Sequence, residues 1–180
     1  MVRSRCGDWF QAVVRLTPDT MKKVSVCFVC LGNICRSPTA EAVMRRLVDE
    51  AGLAAHMSVD SAGTGDWHIG EAPDERAQRA AAKRGYDLAP LRARQIAAAD
   101  FRAFDLIVAM DDANVTALQQ VAPSAGRDKI RLLMEFAPNA LEREVTDPYF
   151  GGDAGFEAVL DQCEAACSGL LAALRPQLAD

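Results

Sequence analysis

The sequence predicts a single α/β domain with a central four-stranded parallel sheet flanked by helices, and three observations carry that prediction. Strand-type and helix-type segments alternate from Val24 onward, the pattern of a parallel sheet with helical crossovers. The first strand-type segment, Val24-Ser25-Val26-Cys27-Phe28-Val29, is an almost unbroken apolar run, as a buried strand requires. The chain has 180 residues, 50% hydrophobic and 25% charged, enough for one domain with a real core and too few for two comfortable ones.

The elements follow in order. Residues 24–29 form the first strand. The next helix carries Ala40, Val43, Met44, Leu47, Val48 and Ala51 at i, i+3, i+4, i+7 spacing, and Gly52 closes it. Residues 56–60 read as a second, short strand, and residues 73–84 as a helix stopped by Gly85. Residues 104–110 give a third strand, with a helix over Asp112–Val121 and a weak fourth strand at 129–133. The last helix presents Phe156, Val159, Leu160, Cys163, Cys167, Leu170, Leu171 and Leu174 on one face.

Residues 1–23 read differently. They hold Arg3, Arg5, Arg15, Lys22 and Lys23 against Asp8 and Asp19, while the whole chain carries a net −5. Trp9, Phe10, Val13 and Val14 are too scattered for the apolar core of a signal peptide, and Thr17-Pro18-Asp19 reads as a turn or linker. Residues 1–20 are therefore expected to be an extension outside the fold, or the product of an upstream start codon, with 21–180 the folded domain. The competing reading is a short helix packed on that domain.

Composition excludes several classes. No apolar run approaches the ~18 residues of a membrane span, and the net charge of −5 argues against a nucleic-acid partner held by electrostatics. The cysteines, at 6, 27, 30, 35, 163 and 167, are too sparse for a secreted disulfide scaffold and fit reduced thiols in a cytoplasmic protein. Cys27/Cys30 and Cys163/Cys167 make a poor zinc set, because the second pair lies four apart within an apolar helical pattern, so no metal is expected.

The chemistry lies after the first strand, in Cys30-Leu31-Gly32-Asn33-Ile34-Cys35-Arg36-Ser37-Pro38. Ligands of open α/β sheets bind outside the carboxyl ends of strands. Gly32 and Asn33 can enter the left-handed region that a tight loop needs, and such a loop turns backbone N–H groups inward as an anion nest. Pro38 suits a first helical turn, whose partial positive charge falls on the same spot. Arg36 offers a planar fork for two phosphate-type oxygens. Cys30 at the mouth of this nest becomes a nucleophile, because the same field favours its thiolate and Ser37 can donate a hydrogen bond to it.

Other phosphate or redox motifs fail on inspection. Gly65-Asp66-Trp67-His68-Ile69-Gly70-Glu71-Ala72 has Glu-Ala where a nucleotide loop needs Lys and a hydroxyl residue. Gly63-Thr64-Gly65 is followed by His68 where a dinucleotide fingerprint has its third glycine. Cys27-Phe28-Val29-Cys30 has its first cysteine inside the strand rather than opening a helix.

The segment Val29 to Pro38 resembles the signature of the low-molecular-weight protein tyrosine phosphatases. The similarity continues through Asp60-Ser61-Ala62-Gly63-Thr64, Trp67 with Gly70, Pro73-Asp74, Ala93-Arg94-Gln95-Ile96, Met110-Asp111 and Asp147-Pro148-Tyr149, and ends in the Phe156, Cys163, Cys167 pattern. The resemblance implies the flavodoxin-like layering of that family's fold. It implies that Cys30 attacks phosphorus to give a phosphocysteine, that Arg36 and the loop amides hold the equatorial oxygens, and that Asp147 acts as general acid and then base. It implies substrate contacts from Leu31, Gly32, Asn33, Ile34, Cys35, Ser37, Trp67 and Tyr149, support of the loop by Ser61, and a reversible Cys30–Cys35 disulfide. No cofactor is implied, since arginine and backbone dipoles supply the positive charge. The implied partners are a phosphotyrosyl protein, for example a bacterial tyrosine kinase, and inorganic phosphate as product, with the enzyme a monomer or weak dimer.

Two departures stand out. Residues 86–92 lack the histidine that supports the loop in better-known members, and Phe150 stands where many carry a second tyrosine. Related scaffolds serve arginine phosphatases and arsenate reductases. The former resemble this loop with threonine at the position of Ile34, and the latter need two more cysteines mid-chain, whereas none occurs between Cys35 and Cys163. Deleting residues 1–20 is expected to leave phosphatase activity and the thermal melt intact; a deletion that unfolds the protein would show that this segment belongs to the domain.

Overall fold

The computed structural model describes residues 23–178, so the extension assigned to 1–20 lies outside the described residues. The elements are β1 (Val24–Cys30), α1 (Arg36–Glu50), β2 (Met57–Gly63), α2 (Glu75–Lys83), α3 (Asp100–Ala103), β3 (Leu106–Ala109), α4 (Asp112–Val121), β4 (Ile130–Leu132) and α5 (Asp153–Leu178), with 3₁₀ turns at Ser124–Lys129 and Leu133–Phe136. The four strands form one all-parallel sheet in the order β2-β1-β3-β4. The chain leaves β1 to one side through α1 and β2, then crosses to β3 on the other, so the order reverses at the carboxyl ends of β1 and β3. A crevice opens at that reversal.

The near-continuous apolar run of β1 follows from its central place, because both faces of the strand are covered. Val24, Val26, Phe28 and Cys30 join the core with residues of α1, α2 and α5, while Cys27 and Val29 join a second core with Phe101 of α3 and Leu118 of α4. The period-2 alternation thus puts the Cys30 side chain on the α1/α5 side. All of the apolar positions read for the last helix are buried. At the end of α1, Gly52 takes φ +70°, and the bonds Gly52 N–H to Asp49 O (3.0 Å) and Leu53 N–H to Val48 O (2.9 Å) complete a Schellman stop.

Boundaries differ from the sequence reading where tertiary pairing overrides propensity. Strand β2 runs on through Ser61, Ala62 and Gly63, poor strand formers held by register with Phe28, Val29 and Cys30. Strand β3 is shorter than residues 104–110, because Phe104 closes the unanticipated α3 and Asp105 turns to bond Ser25.

In the middle of α5, a Cβ on Gly169 would lie 1.9 Å from the Phe136 carbonyl oxygen, so the helix reaches the Leu133–Phe136 turn only through glycine. Alanine would gain about 1 kcal/mol of helix propensity, but overpacking against backbone costs ~1–3 kcal/mol and wins. Gly169→Ala is accordingly expected to lower the urea midpoint; a raised midpoint would show that the turn gives way freely.

Candidate active site

The loop between β1 and α1 begins at Cys30, the last residue of β1, and ends where Arg36 opens α1. Four of its carbonyls meet donors outside the loop: Cys30 O accepts from Thr64 N–H, Leu31 O from Gly65 N–H (both 2.9 Å), Ile34 O from Asp74 N–H (2.8 Å) and Cys35 O from the Thr39 hydroxyl (2.7 Å). A planar peptide with its carbonyl outward turns the following amide inward, so the loop faces the cleft with N–H groups. Asn33 takes φ +56°, the left-handed turn this path needs. Gly63 lies beneath the loop, where a Cβ would sit 2.9 Å from Leu31 O.

Asn33 pins the loop. Its Nδ2 donates to Ser37 Oγ (2.9 Å) and Ser61 Oγ (2.8 Å), its Oδ1 accepts from Arg94 N–H (3.0 Å), and its own N–H donates to Cys30 Sγ (3.3 Å). Ser37 Oγ lies 3.1 Å from Cys30 Sγ and 3.2 Å from the Ala62 carbonyl oxygen.

Arg36 is buried, yet it carries its charge to the cleft. One guanidinium nitrogen donates to Asp111 Oδ2 (2.5 Å) and to Val145 O (3.1 Å), and the other to Asp147 Oδ2 (2.9 Å). Burial alone would weaken its hold on the proton, but Cys30, Asp111 and Asp147 outweigh burial and hold its pKa above the usual range. The Asp147 side chain is 44% exposed, and its Oδ1 accepts from Tyr149 N–H (3.1 Å), an Asx turn set by Asp-Pro.

A cleft of about 380 Å³ opens above the loop, lined by Cys30, Leu31, Gly32, Ile34, Cys35, Arg36, Trp67, His68, Asp147, Tyr149 and Phe150. The side chains of Asn33, Ser37 and Ser61 lie behind the loop, buried, and act through it. The rim is apolar and open: Trp67, Leu31, Tyr149 and Phe150 are all exposed. Burial, joined by Asp74 and other nearby anionic groups, pushes the Cys35 thiol up to about 12, so Cys35 stays protonated at neutral pH.

Over residues 25–179 the chain matches the family described as low molecular weight phosphotyrosine protein phosphatase. A low molecular weight protein-tyrosine-phosphatase of Streptomyces coelicolor is 49% identical over 157 residues, covering 85% of this chain and 94% of that one. A crystal structure of a protein tyrosine phosphatase from Entamoeba histolytica, with Hepes in its active site, matches with a TM-score of 0.83 and 39% identity over 86% of this chain and 98% of that chain. Vibrio vulnificus Wzb, solved in complex with benzylphosphonate, matches with a TM-score of 0.72 and 28% identity over 82% of this chain and 97% of that chain.

Sequence reasoning assigned no role to Asp111, His68 or Glu41. Asp111 follows β3 directly, and its Oδ1 caps α4 through Asn114 N–H (2.7 Å) while its Oδ2 holds Arg36. His68 stands over Gly32, its Nδ1 2.6 Å from Glu71 Oε2. Glu41 is buried in α1, accepting from Ser61 Oγ (2.6 Å) and Arg45 (2.7 Å). Glu41 and the Arg94 N–H brace the Ser61–Asn33 pair in this chain, where residues 86–92 hold no histidine. The one signal was a glutamate within the apolar stripe of α1.

Burial pushes the Glu41 carboxyl above the ordinary glutamate range, against the opposing pull of Ser61 and Arg45. The folded state then holds this proton more tightly than the unfolded chain, so the group's contribution to stability falls as pH rises past that range. The Tm of Glu41→Gln relative to wild type is expected to climb between about pH 4 and about pH 7; a relative Tm that drops over this interval would mean the ion pair outweighs burial.

Proposed function

The chain belongs to the low-molecular-weight phosphotyrosine protein phosphatase family, whose members hydrolyse phosphotyrosine through a cysteine nucleophile, and on that premise we propose that Cys30, Arg36 and Asp147 carry the reaction in this enzyme. The observation that supports this most directly is their convergence on one cleft at the switch point of the sheet. The phosphate enters the nest of loop amides, and its oxygens take up the Arg36 nitrogen now held by Asp147 Oδ2. Cys30 Sγ attacks phosphorus in line as the bond to the phenolic oxygen breaks, and Asp147 gives that oxygen a proton. Asp147 then takes a proton from the water that attacks the phosphocysteine, releasing inorganic phosphate and the thiolate. Arg36 and the amides match charge spread over the equatorial oxygens, where one such donor is worth about 10²–10³-fold in rate.

The substrate in this reading is a phosphotyrosyl protein. Ile34, Leu31, Trp67 and Tyr149 give the cleft apolar walls suited to a phenyl ring. The benzylphosphonate held by Vibrio vulnificus Wzb, a benzyl group on a phosphate mimic, is the same chemistry in a relative. The phosphotyrosyl protein we assign as partner is, for example, a bacterial tyrosine kinase, and the phosphatase itself is a monomer or weak dimer in the cytoplasm, where thiols stay reduced. Residues 21–180 form the catalytic domain, with 1–20 outside it. No helix among the described residues is long and apolar enough to cross a membrane.

The test is kcat/KM on a phosphotyrosyl peptide against a phosphoarginyl peptide, with Cys30→Ser as blank. A strong tyrosine preference and an inert Cys30→Ser are expected. An arginine preference would overturn the aromatic-slot reading while keeping the mechanism, and turnover by Cys30→Ser would refute the nucleophile.

A further inference from the structure

The segment Asp147-Pro148-Tyr149 belongs to no regular element, so its position depends on contacts from outside. Its own bonds are local: Tyr149 N–H to Asp147 Oδ1, and Gly151 N–H to Pro148 O (2.9 Å). The bond from Arg36 to Asp147 is the one that an entering phosphate competes for. A second arginine reaches the segment from the start of α2. Arg76 donates to the Tyr149 carbonyl oxygen (3.1 Å), and its guanidinium carbon lies 5.6 Å from the centre of the Tyr149 ring and 4.8 Å from that of Phe156 in α5.

Arg76 is itself fixed. Its Nε and Nη2 donate to the two carboxyl oxygens of Asp74 (3.0 and 2.8 Å), and its backbone N–H donates to Asp74 Oδ1 (2.8 Å) as the helix cap. The Asp74 N–H in turn donates to Ile34 O of the phosphate loop. One route of four groups thus runs from the loop that holds the phosphate, through Asp74 and Arg76, to the backbone two residues past Asp147. A fork with carboxylate oxygens on two nitrogens, a carbonyl on the third and rings against its plane is a task only guanidinium performs.

We propose that Arg76 is a positioning residue for the general acid: it fixes the Asp147 segment relative to the phosphate loop while Arg36 is occupied by substrate. The proposal rests on the reading of Asp147 as acid. Proton transfer to the leaving oxygen requires the carboxyl within hydrogen-bond reach at the moment of P–O cleavage, and small displacements there lose rate steeply. The loss falls on poor leaving groups, which need the proton, and spares good ones, which do not.

The experiment measures kcat/KM over a series of aryl phosphates from 4-nitrophenyl to phenyl, for wild type, Arg76→Gln, Arg76→Lys, Asp147→Ala and Arg76→Gln/Asp147→Ala. Inhibition by inorganic phosphate and alkylation of Cys30 by iodoacetate report an intact nest and nucleophile. Arg76→Gln is expected to slow phenyl phosphate about 10-fold and 4-nitrophenyl phosphate less than about 2-fold, with phosphate inhibition and alkylation unchanged. Arg76→Lys follows Arg76→Gln, because lysine lacks the fork. The double variant is no slower than Asp147→Ala alone. Equal slowing across the series, or a double variant slowed by the product of the two single effects, overturns the role of Arg76. A level series for Asp147→Ala defeats the acid assignment itself, whereas a steep one beside a level Arg76→Gln defeats the Arg76 proposal alone.

Discussion

Every amide turned toward the cleft sends the neighbouring carbonyl outward, and each such carbonyl that the surrounding chain covers needs a donor. The phosphate loop can be shaped as it is only because the end of β2, the start of α2 and the first turn of α1 supply those donors. Strand β2 extends through Gly63 to deliver the Thr64 and Gly65 amides, and residue 63 has no side chain because the loop backbone lies against it. Asn33 closes the arrangement from within: a left-handed asparagine uses both amide hydrogens and its carbonyl oxygen on α1, β2 and the segment around Arg94, a set that no aliphatic residue reproduces.

Burying Arg36 costs several kcal/mol unless its charge is matched. Asp111 from the end of β3, and the Val145 carbonyl with Asp147 from one later loop, match it from two places distant in sequence. Asp111 does two jobs at once, one oxygen capping α4 and the other on Arg36. Asp74 repeats the device at α2, capping the helix and gripping Arg76. Helix starts and active-site cations are thereby fixed by the same carboxylates, so the site inherits the rigidity of the helices.

Local signals were legible in the sequence: the apolar run of β1, the stripe of α5, the left-handed turn at Asn33 and the Cys30–Arg36 spacing each state their geometry within a few residues, although Gly32 beside Asn33 does not take a positive φ. The Schellman stop at Gly52 was readable for the same reason. Asp147 carried only an Asp-Pro turn of its own, and its role came from resemblance to a family. What stayed hidden depends on partners far along the chain. Ser61-Ala62-Gly63 has no strand propensity and is a strand because β1 pairs with it. Glu41 looks like a misplaced charge in α1 until Ser61 and Arg45 are seen beside it. Arg76 is one of 20 basic residues until Tyr149 and Phe156 enclose it.

The hydroxyl of Ser37 has one proton and two acceptors within reach, Cys30 Sγ and the Ala62 carbonyl oxygen, while Asn33 occupies its oxygen from a third side. With sulfur protonated, the serine is free to serve the carbonyl; with sulfur anionic, the same proton swings to sulfur and the carbonyl gives it up. When sulfur becomes covalently bound to phosphorus it loses its negative charge, and the proton swings back. On the mechanism proposed above, the hydrogen bond that Ala62 C=O receives from Ser37 therefore follows the charge on the Cys30 sulfur. A ¹³C label at that single carbonyl would give the catalytic cycle a vibrational signature, read from the scaffold rather than from the reacting atoms.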